Sequence, residues 1–221
     1  VCGGLGNQLF QLFTAYSLGL RTSRNVYVKN QCSNREFANK IIFTVDTRIP
    51  DIERIVFTEP HEFQVCSLPE TGHVQMSGYF QASRYFDELY PEIVKALQMR
   101  FPPERYTGTV LHVRKTDYVT YSNIYVQLPK SYYLNCKAFP GPYKIVTDDK
   151  EHPFVKDLAK ELSASIHQRD TYTDFWFLFG HDYIVCANST FSWWASYFAQ
   201  REHNATVLRP DIYLNSGATI E

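Results

Sequence analysis

From residue 109 onward, short apolar runs alternate with stretches of helical periodicity, and that alternation leaves few architectures open. Residues 109–113, 143–147, 165–167, 183–187 and 205–208 read as strands, rich in Val, Ile, Leu and Tyr. Helices are expected between them, at 131–138, 152–162, 175–179 and 191–200. In the second of these, Phe154, Leu158 and Leu162 fall on one face. Strands separated by crossover helices make a parallel sheet, so the chain is expected to be an α/β protein.

The earlier part is less regular. Val1-Cys2 reads as the tail of a strand. The turn Gly3-Gly4-Leu5-Gly6-Asn7-Gln8 follows, then a helix with Leu9, Leu12, Phe13, Tyr16 and Leu20 on its apolar face. Strands are expected at 24–30 (Val26 and Val28 inward), 41–45, 55–57 and 74–80. Helical segments follow at 86–90 and 92–99, with Pro91 suited to the first turn of the second. Phe101-Pro102-Pro103-Glu104 reads as a linker between an N-terminal half, 1–103, and a C-terminal half, 104–221. The first half is short, the chain opens inside a strand and there is no initiator Met, so an upstream piece is expected. A membrane anchor would lie on that piece.

Charge narrows the partners. The formal net charge is −1, which argues against nucleic acid or a membrane surface as a bulk partner, and any anion must be held by local positive groups. The five cysteines include no C-x-x-C pair. Cys2 and Cys186 read as buried hydrophobes. Cys32, Cys66 and Cys136 have polar neighbours and can pair in an oxidising compartment. No apolar run reaches the ~18–20 residues that span a bilayer. Aromatic residues make up 16%, which suits sugar stacking and equally suits a large core.

Several polar clusters fall at strand ends or helix starts expected on one side of the sheet. The Gly3–Gln8 turn offers backbone N–H groups at a helix N-terminus, an anion site if the glycines let a ligand approach and a plain tight turn otherwise. It is neither the dinucleotide fingerprint nor a Walker loop. His112-Val113-Arg114-Lys115-Thr116-Asp117 ends the 109–113 strand, where open α/β sheets bind ligands. Asp148-Asp149 ends the next strand. Asn188-Ser189-Thr190 opens the last long helix. Arg114 can fork onto phosphate oxygens, with Ser189 and Thr190 adding hydroxyls and amides. Asp174 or His112 can read a base. Asp174 and Ser189 also suit helix N-caps, and at least one of Trp193 and Trp194 belongs to the core. Asn188-Ser189-Thr190 and Asn204-Ala205-Thr206 match glycosylation sequons, the second being better placed for the surface.

Three of these stretches, extended, carry a resemblance. Gly3-Gly4-Leu5-Gly6-Asn7-Gln8-Leu9-Phe10-Gln11, His112-Val113-Arg114-Lys115-Thr116-Asp117-Tyr118-Val119 and Asn188-Ser189-Thr190-Phe191-Ser192-Trp193-Trp194-Ala195 resemble glycosyltransferase family 11, the α-1,2-fucosyltransferases. Gly78-Tyr79-Phe80-Gln81 is similar to a further family segment. The resemblance implies a GT-B-like fold of two Rossmann-like halves, the first truncated here. It implies GDP-fucose as donor, a glycan ending in β-galactoside as acceptor, and transfer to the 2-hydroxyl with inversion. No metal is expected, because Arg114 would neutralise the leaving pyrophosphate. His112 and Asp174 are implied as guanine contacts and Ser189 and Thr190 as phosphate contacts, with Asn188 also among the donor-binding residues. Gly4, Gly6, Asn7 and Gln8 would close over the donor from the first half.

Lys115-Thr116 departs from the Arg-Gly that often follows the family's first arginine. The position where related core fucosyltransferases carry a catalytic carboxylate lies near Ser122, which is not acidic. Asp117 is then either the base or the ion partner of Arg114. A sibling enzyme with another glycan or protein acceptor, and a non-catalytic nucleotide-sugar or glycan-binding module, are the alternatives. The two sequons and the scattered cysteines point to the luminal side of a Golgi membrane in a eukaryote; a bacterial member would lie in the cytoplasm. Any membrane contact would be made through a segment this chain lacks.

Overall fold

Five parallel strands form the main sheet: β3 (Tyr106–Val113), β4 (Tyr143–Thr147), β5 (Ser165–His167), β6 (His181–Val185) and β7 (Thr206–Leu208). Their spatial order is β5-β4-β3-β6-β7, and every neighbouring pair is parallel. The first strand of the sheet is therefore central. The chain winds to one edge through β4 and β5, then crosses to the other side for β6 and β7. This is the 3-2-1-4-5 order of doubly wound sheets, and its topological switch point lies between the carboxyl ends of β3 and β6. The structure is a computed structural model that describes residues 1–29, 31, 38, 46–49, 51–59, 66–217 and 220. The chain folds as two units, Val1–Phe101 and Pro102–Ile220.

Both faces of the second unit's sheet are covered, which is why its strands read as unbroken apolar runs. On one face, Leu111, Val113, Ile145 and Val185 pack with Tyr133 of α4 (Lys130–Leu134) and with Val155, Leu158 and Leu162 of α5 (Pro153–Leu162). Each large aliphatic side chain so buried contributes about 1.5–3 kcal/mol. On the other face, Phe175 of α6 (Thr171–Phe179) meets Phe191 and Phe198 of α7 (Thr190–His203) edge-on. The His112 ring lies 5.3 Å from that of Phe191. Trp193 and Trp194 are both buried. In β3, Gly108 has φ +83°, and a Cβ there would lie 2.1 Å from the Pro142 carbonyl oxygen. The register against β6 shifts between Tyr106 and Thr109, around this residue, so only glycine fits the bulge.

Strand 143–147 and strand 165–167 lie where periodicity puts them; other boundaries move. Strand β3 begins three residues earlier than expected, β6 spans His181–Val185 and not 183–187, and β7 starts at Thr206. The expected helix 131–138 is α4 followed by a 3-10 turn, Asn135–Ala138. Helix α7 runs to His203 and ends on Asn204 at φ 60°, an exposed left-handed cap. The largest correction is at α6, which starts at Thr171, so Asp174 lies inside its first turn and is not the cap. Asp170 takes that place, its carboxylate accepting from Tyr172 N and Thr173 N.

In the first unit, α1 (Leu5–Thr22) buries Leu9, Leu12 and Phe13, but Leu20 is exposed. Leu18 is buried in its place, because the buried face rotates around so long a helix. Strands β1 (Arg54–Thr58) and β2 (His73–Ser77) pair in parallel, and α2 (Tyr90–Ala96) follows with Pro91 in its first turn. The expected helix 86–90 is instead two 3-10 turns, Ser83–Tyr85 and Asp87–Leu89. The expected strand 24–30 keeps its alternation, with Val28 buried and Tyr27 exposed, but its only bridge among the described residues is Tyr27 to Asp46. Strand 41–45 and Cys32 lie outside the described residues. Val1 and Cys2 are extended without forming a strand. Gln31 N donates to Val1 O (2.8 Å), while the Gln11 amide brackets Cys2 N and O at 3.1 and 2.9 Å, taking the place of a neighbouring strand. Cys136 is fully buried, against the polar setting its neighbours suggest, and so is Cys186; Cys2 is only partly covered.

Candidate functional site

Strand β3 ends at Val113 and delivers Arg114 to the switch point. The next residues turn into α3 (Thr116–Thr120), a short helix not foreseen from the sequence, and this turn returns Asp117 to the guanidinium. Arg114 Nε donates to Asp117 Oδ1 at 2.8 Å and Nη2 to Oδ2 at 2.6 Å, a two-pronged ion pair. Burial opposes the arginine's charge, and the Asp117 carboxylate more than offsets it, so its pKa is raised. Tyr118 lies beneath the guanidinium, ring centroid 5.0 Å from Cζ. A guanidinium has five N–H donors in a plane. Asp117 occupies one edge, and no protein acceptor among the described residues takes Nη1. Arg114 is thus held flat, charged and part-exposed, the state that suits an oxyanion with two oxygens to offer.

Asp148, the first residue after β4, secures the turn from the side. Its carboxylate accepts from Lys115 N (2.8 Å), Thr116 N (3.3 Å) and the Thr116 hydroxyl, and lies 3.7 Å from Arg114 Nε. Lys115 is buried, its ammonium 4.0 Å above the Phe154 ring, and burial lowers its pKa. The charge at this position is spent on packing and does not extend the anion site.

His112 is 4% exposed, and its Nδ1 is buried without a hydrogen-bond partner among the described residues. Burial, with help from the Arg114 charge, lowers its pKa to about 3. At neutral pH it is an uncharged imidazole, with one ring nitrogen donating and the other accepting. An orphaned polar atom at this depth costs about 1–3 kcal/mol, so it is a position that a ligand or water relieves.

On the neighbouring strand, the loop after β6 opens α7. Ser189 is its N-cap, with Oγ accepting from Phe191 N at 3.3 Å. Thr190 starts the helix and is partly exposed. Asn188 is buried, its Nδ2 donating to Val126 O and Tyr213 O at 2.9 and 3.0 Å. That side chain pins two loops, and its burial also removes it as a glycosylation acceptor. The Tyr118 hydroxyl donates to Asn188 O at 2.8 Å. Tyr118 therefore touches both the arginine and the start of α7, and burial pushes its hydroxyl up to about 12. Arg114, His112 and the α7 N-terminus all gather at the switch point.

Asp174 is apart from these contacts. Buried at the start of α6, it accepts from Arg169 N and Nε, both at 3.0 Å, and the Arg169 guanidinium lies 4.1 Å from the Phe177 ring centre. In the first unit, Gly3 takes φ +82° before α1, as the turn requires. Gly4 is the N-cap and Gly6 is buried in the first turn. Gln8 is buried, its amide donating to Gly3 O and accepting from Ala38 N. Asn7 Oδ1 accepts from Gln81 Nε2 at 2.9 Å. These side chains brace the turn, and Gly4 has open space where a Cβ would stand.

Sequence reasoning missed three contributors. Asp148 was noticed only as half of an acidic pair, and its partners are set by the β3–β4 register. Arg169 as the partner of Asp174 follows from helix geometry once Asp170 is recognised as the cap. Tyr118 stacks on Tyr125 at 4.0 Å and 2° between planes, a contact no local pattern announces. Among the described residues, no group of three or more His, Cys, Asp or Glu is placed to hold a metal ion, and no helix is long and apolar enough to cross a membrane. Comparison of the chain with protein-family models, curated proteins and solved structures found no match.

Proposed function

We propose that the chain is an inverting glycosyltransferase that moves L-fucose from GDP-fucose to the 2-hydroxyl of a terminal β-galactoside. One observation carries the reading. Arg114, held flat by Asp117, stands at the switch point of a 3-2-1-4-5 parallel sheet beside the N-terminus of α7. That is where such sheets take nucleotides, and a guanidinium linked through Tyr118 to the start of a helix suits a diphosphate. The fucosyl assignment rests on the motif resemblance, and the GT-B-like arrangement is the fold that it implies.

The residues divide the work on this reading. Arg114 and the α7 amides, with Thr190, take the charge that builds on the β-phosphate as the bond from fucose C1 to the phosphate oxygen breaks. That electron pair stays on the departing GDP. The acceptor O2 bonds to C1 from the opposite face, and its proton passes to solvent water as the C1–O bond to GDP breaks. His112, neutral and orphaned, offers a hydrogen bond to the nucleotide. Asp117 acts through Arg114, since both its oxygens are occupied by the guanidinium, and is a positioning residue and not the base. Asp174, satisfied by Arg169, would contact guanine only if Arg169 yielded.

Incubation of the chain with GDP-fucose and a β-galactoside such as lactose tests the proposal. Release of GDP and a product fucosylated on the galactose 2-hydroxyl, with β-linked donor giving α-linked product, is expected. Folded protein that releases no GDP with any galactoside contradicts it.

A further inference from the structure

Immediately after the site, the chain exposes large apolar side chains that the fold does not need there. Val119 is 45% exposed, Tyr121 52% and Ile124 46%. Single exposed apolar residues are ordinary, but three within residues 119–124 concentrate apolar exposure in one short segment. The segment is held in place. Tyr121 N donates to Asp117 O, and Ile124 N and Tyr125 N donate to Tyr121 O, at 2.9–3.0 Å. Tyr125 bridges Leu214 and stacks on Tyr118. Asn215 Nδ2 donates to Ser122 O at 2.8 Å, and Gln127 Nε2 to Tyr118 O at 2.7 Å.

Its chemistry narrows the partner. No residue from 118 to 129 is charged, while Thr120, Tyr121, Ser122, Asn123 and Gln127 carry neutral donors and acceptors. Rings and aliphatic groups set among hydroxyls and amides match the two sides of a pyranose, an apolar C–H face with a polar rim. The segment itself offers no charge to a nucleic acid or an acidic glycan, so its own chemistry favours a neutral ligand. The segment is also continuous with the site, since α3 carries Asp117 in its first turn and Val119 in its last, and Tyr121 follows as its cap.

We infer that residues Val119, Tyr121 and Ile124 form a saccharide platform, which seats the neutral acceptor sugar next to Arg114. The inference rests on the glycosyltransferase reading for the acceptor's role, but not for saccharide binding itself. Tyr121 supplies the ring on which the apolar sugar face lies, Val119 and Ile124 flank it, and the neutral rim bonds the hydroxyls.

The test compares the full chain with a V119S/Y121S/I124S variant and with Tyr121→Phe. Binding of lactose is followed by ligand-observed NMR, GDP affinity by calorimetry and folding by thermal melting. Because all three side chains are exposed, the triple variant is expected to melt like the parent and to bind GDP as the parent does. Lactose binding should weaken at least about tenfold in the triple variant, while Tyr121→Phe stays near the parent. Equal lactose binding by parent and triple variant overturns the platform. So does a parent that binds no neutral saccharide, or one that prefers a sialylated lactose. If lactose binds through these residues but GDP-fucose is neither bound nor turned over, the platform stands and the fucosyltransferase reading falls.

Discussion

At the scale of single residues, His112 shows how a side chain near a site can govern stability as well as binding. Its imidazole is buried and neutral, with its pKa depressed to about 3, and His181 is likewise buried, with its pKa down to about 4. Both groups bind protons more readily in the unfolded chain, near pH 6.5. The stability they allow is therefore complete above about pH 6.5 and is lost as the pH falls towards their folded values. By about pH 5 the stability lost through His112 alone is about 2 kcal/mol. Urea unfolding across pH 7 to 5 should show stability falling with acidity, and His112→Gln should flatten that slope. An unchanged slope would mean that His112 is not buried and neutral as described. The place of Arg114 at a strand end was legible from the sequence, because an apolar run followed by Arg and Asp is a local pattern. The choice between base and ion partner for Asp117 was not, since it depends on the return made by α3.

At the scale of elements, the carboxyl ends of β3 and β4 are joined by one side chain. Asp148 accepts hydrogen bonds from Lys115 N, Thr116 N and the Thr116 hydroxyl, so the loop that presents Arg114 is anchored to the neighbouring strand. Asp148→Ala leaves those donors to water and is expected to lower stability by about 1–3 kcal/mol. If the proposed fucosyl transfer holds, it should also raise the Michaelis constant for GDP-fucose, because Arg114 loses its fixed seat. Asp148→Asn, which keeps an acceptor, should recover part of both losses. A melting curve and donor kinetics indistinguishable from the parent would rule out the anchoring role. Apart from α3, the helices and strands of the second half were readable: the central strands are short buried apolar runs, and α5 carries one apolar side. Helix starts were not: Asp170 and Asp174 both suit a cap, and only the orphan N–H groups of Tyr172 and Thr173 decide between them. In the first half, strands 55–57 and 74–80 were legible and lie at β1 and β2, the second keeping its alternation. What was not legible there is the 86–90 stretch, where two 3-10 turns replace the expected helix.

At the scale of the whole molecule, the donor reading stands on the second unit alone. Its sheet order brings His112, Arg114, Ser189 and Thr190 to the carboxyl ends of two neighbouring strands from positions far apart in the chain. That convergence was anticipated from alternation, since a parallel sheet puts all carboxyl ends on one side. The 3-2-1-4-5 order that makes β3 and β6 neighbours was not readable, because nothing in the sequence says to which edge a crossover goes. A diphosphate bound there should also stabilise the fold, by about 2.7 kcal/mol at a hundredfold excess over its dissociation constant.

Calorimetric titration with GDP, on the parent and on Arg114→Ala, tests the donor site most directly. The parent should bind one GDP per chain, and Arg114→Ala, still folded by its melting curve, should bind at least about tenfold more weakly. A folded parent that binds no GDP, or an Arg114→Ala variant that binds it equally well, would contradict the assignment of the β3–β6 crevice as the donor site.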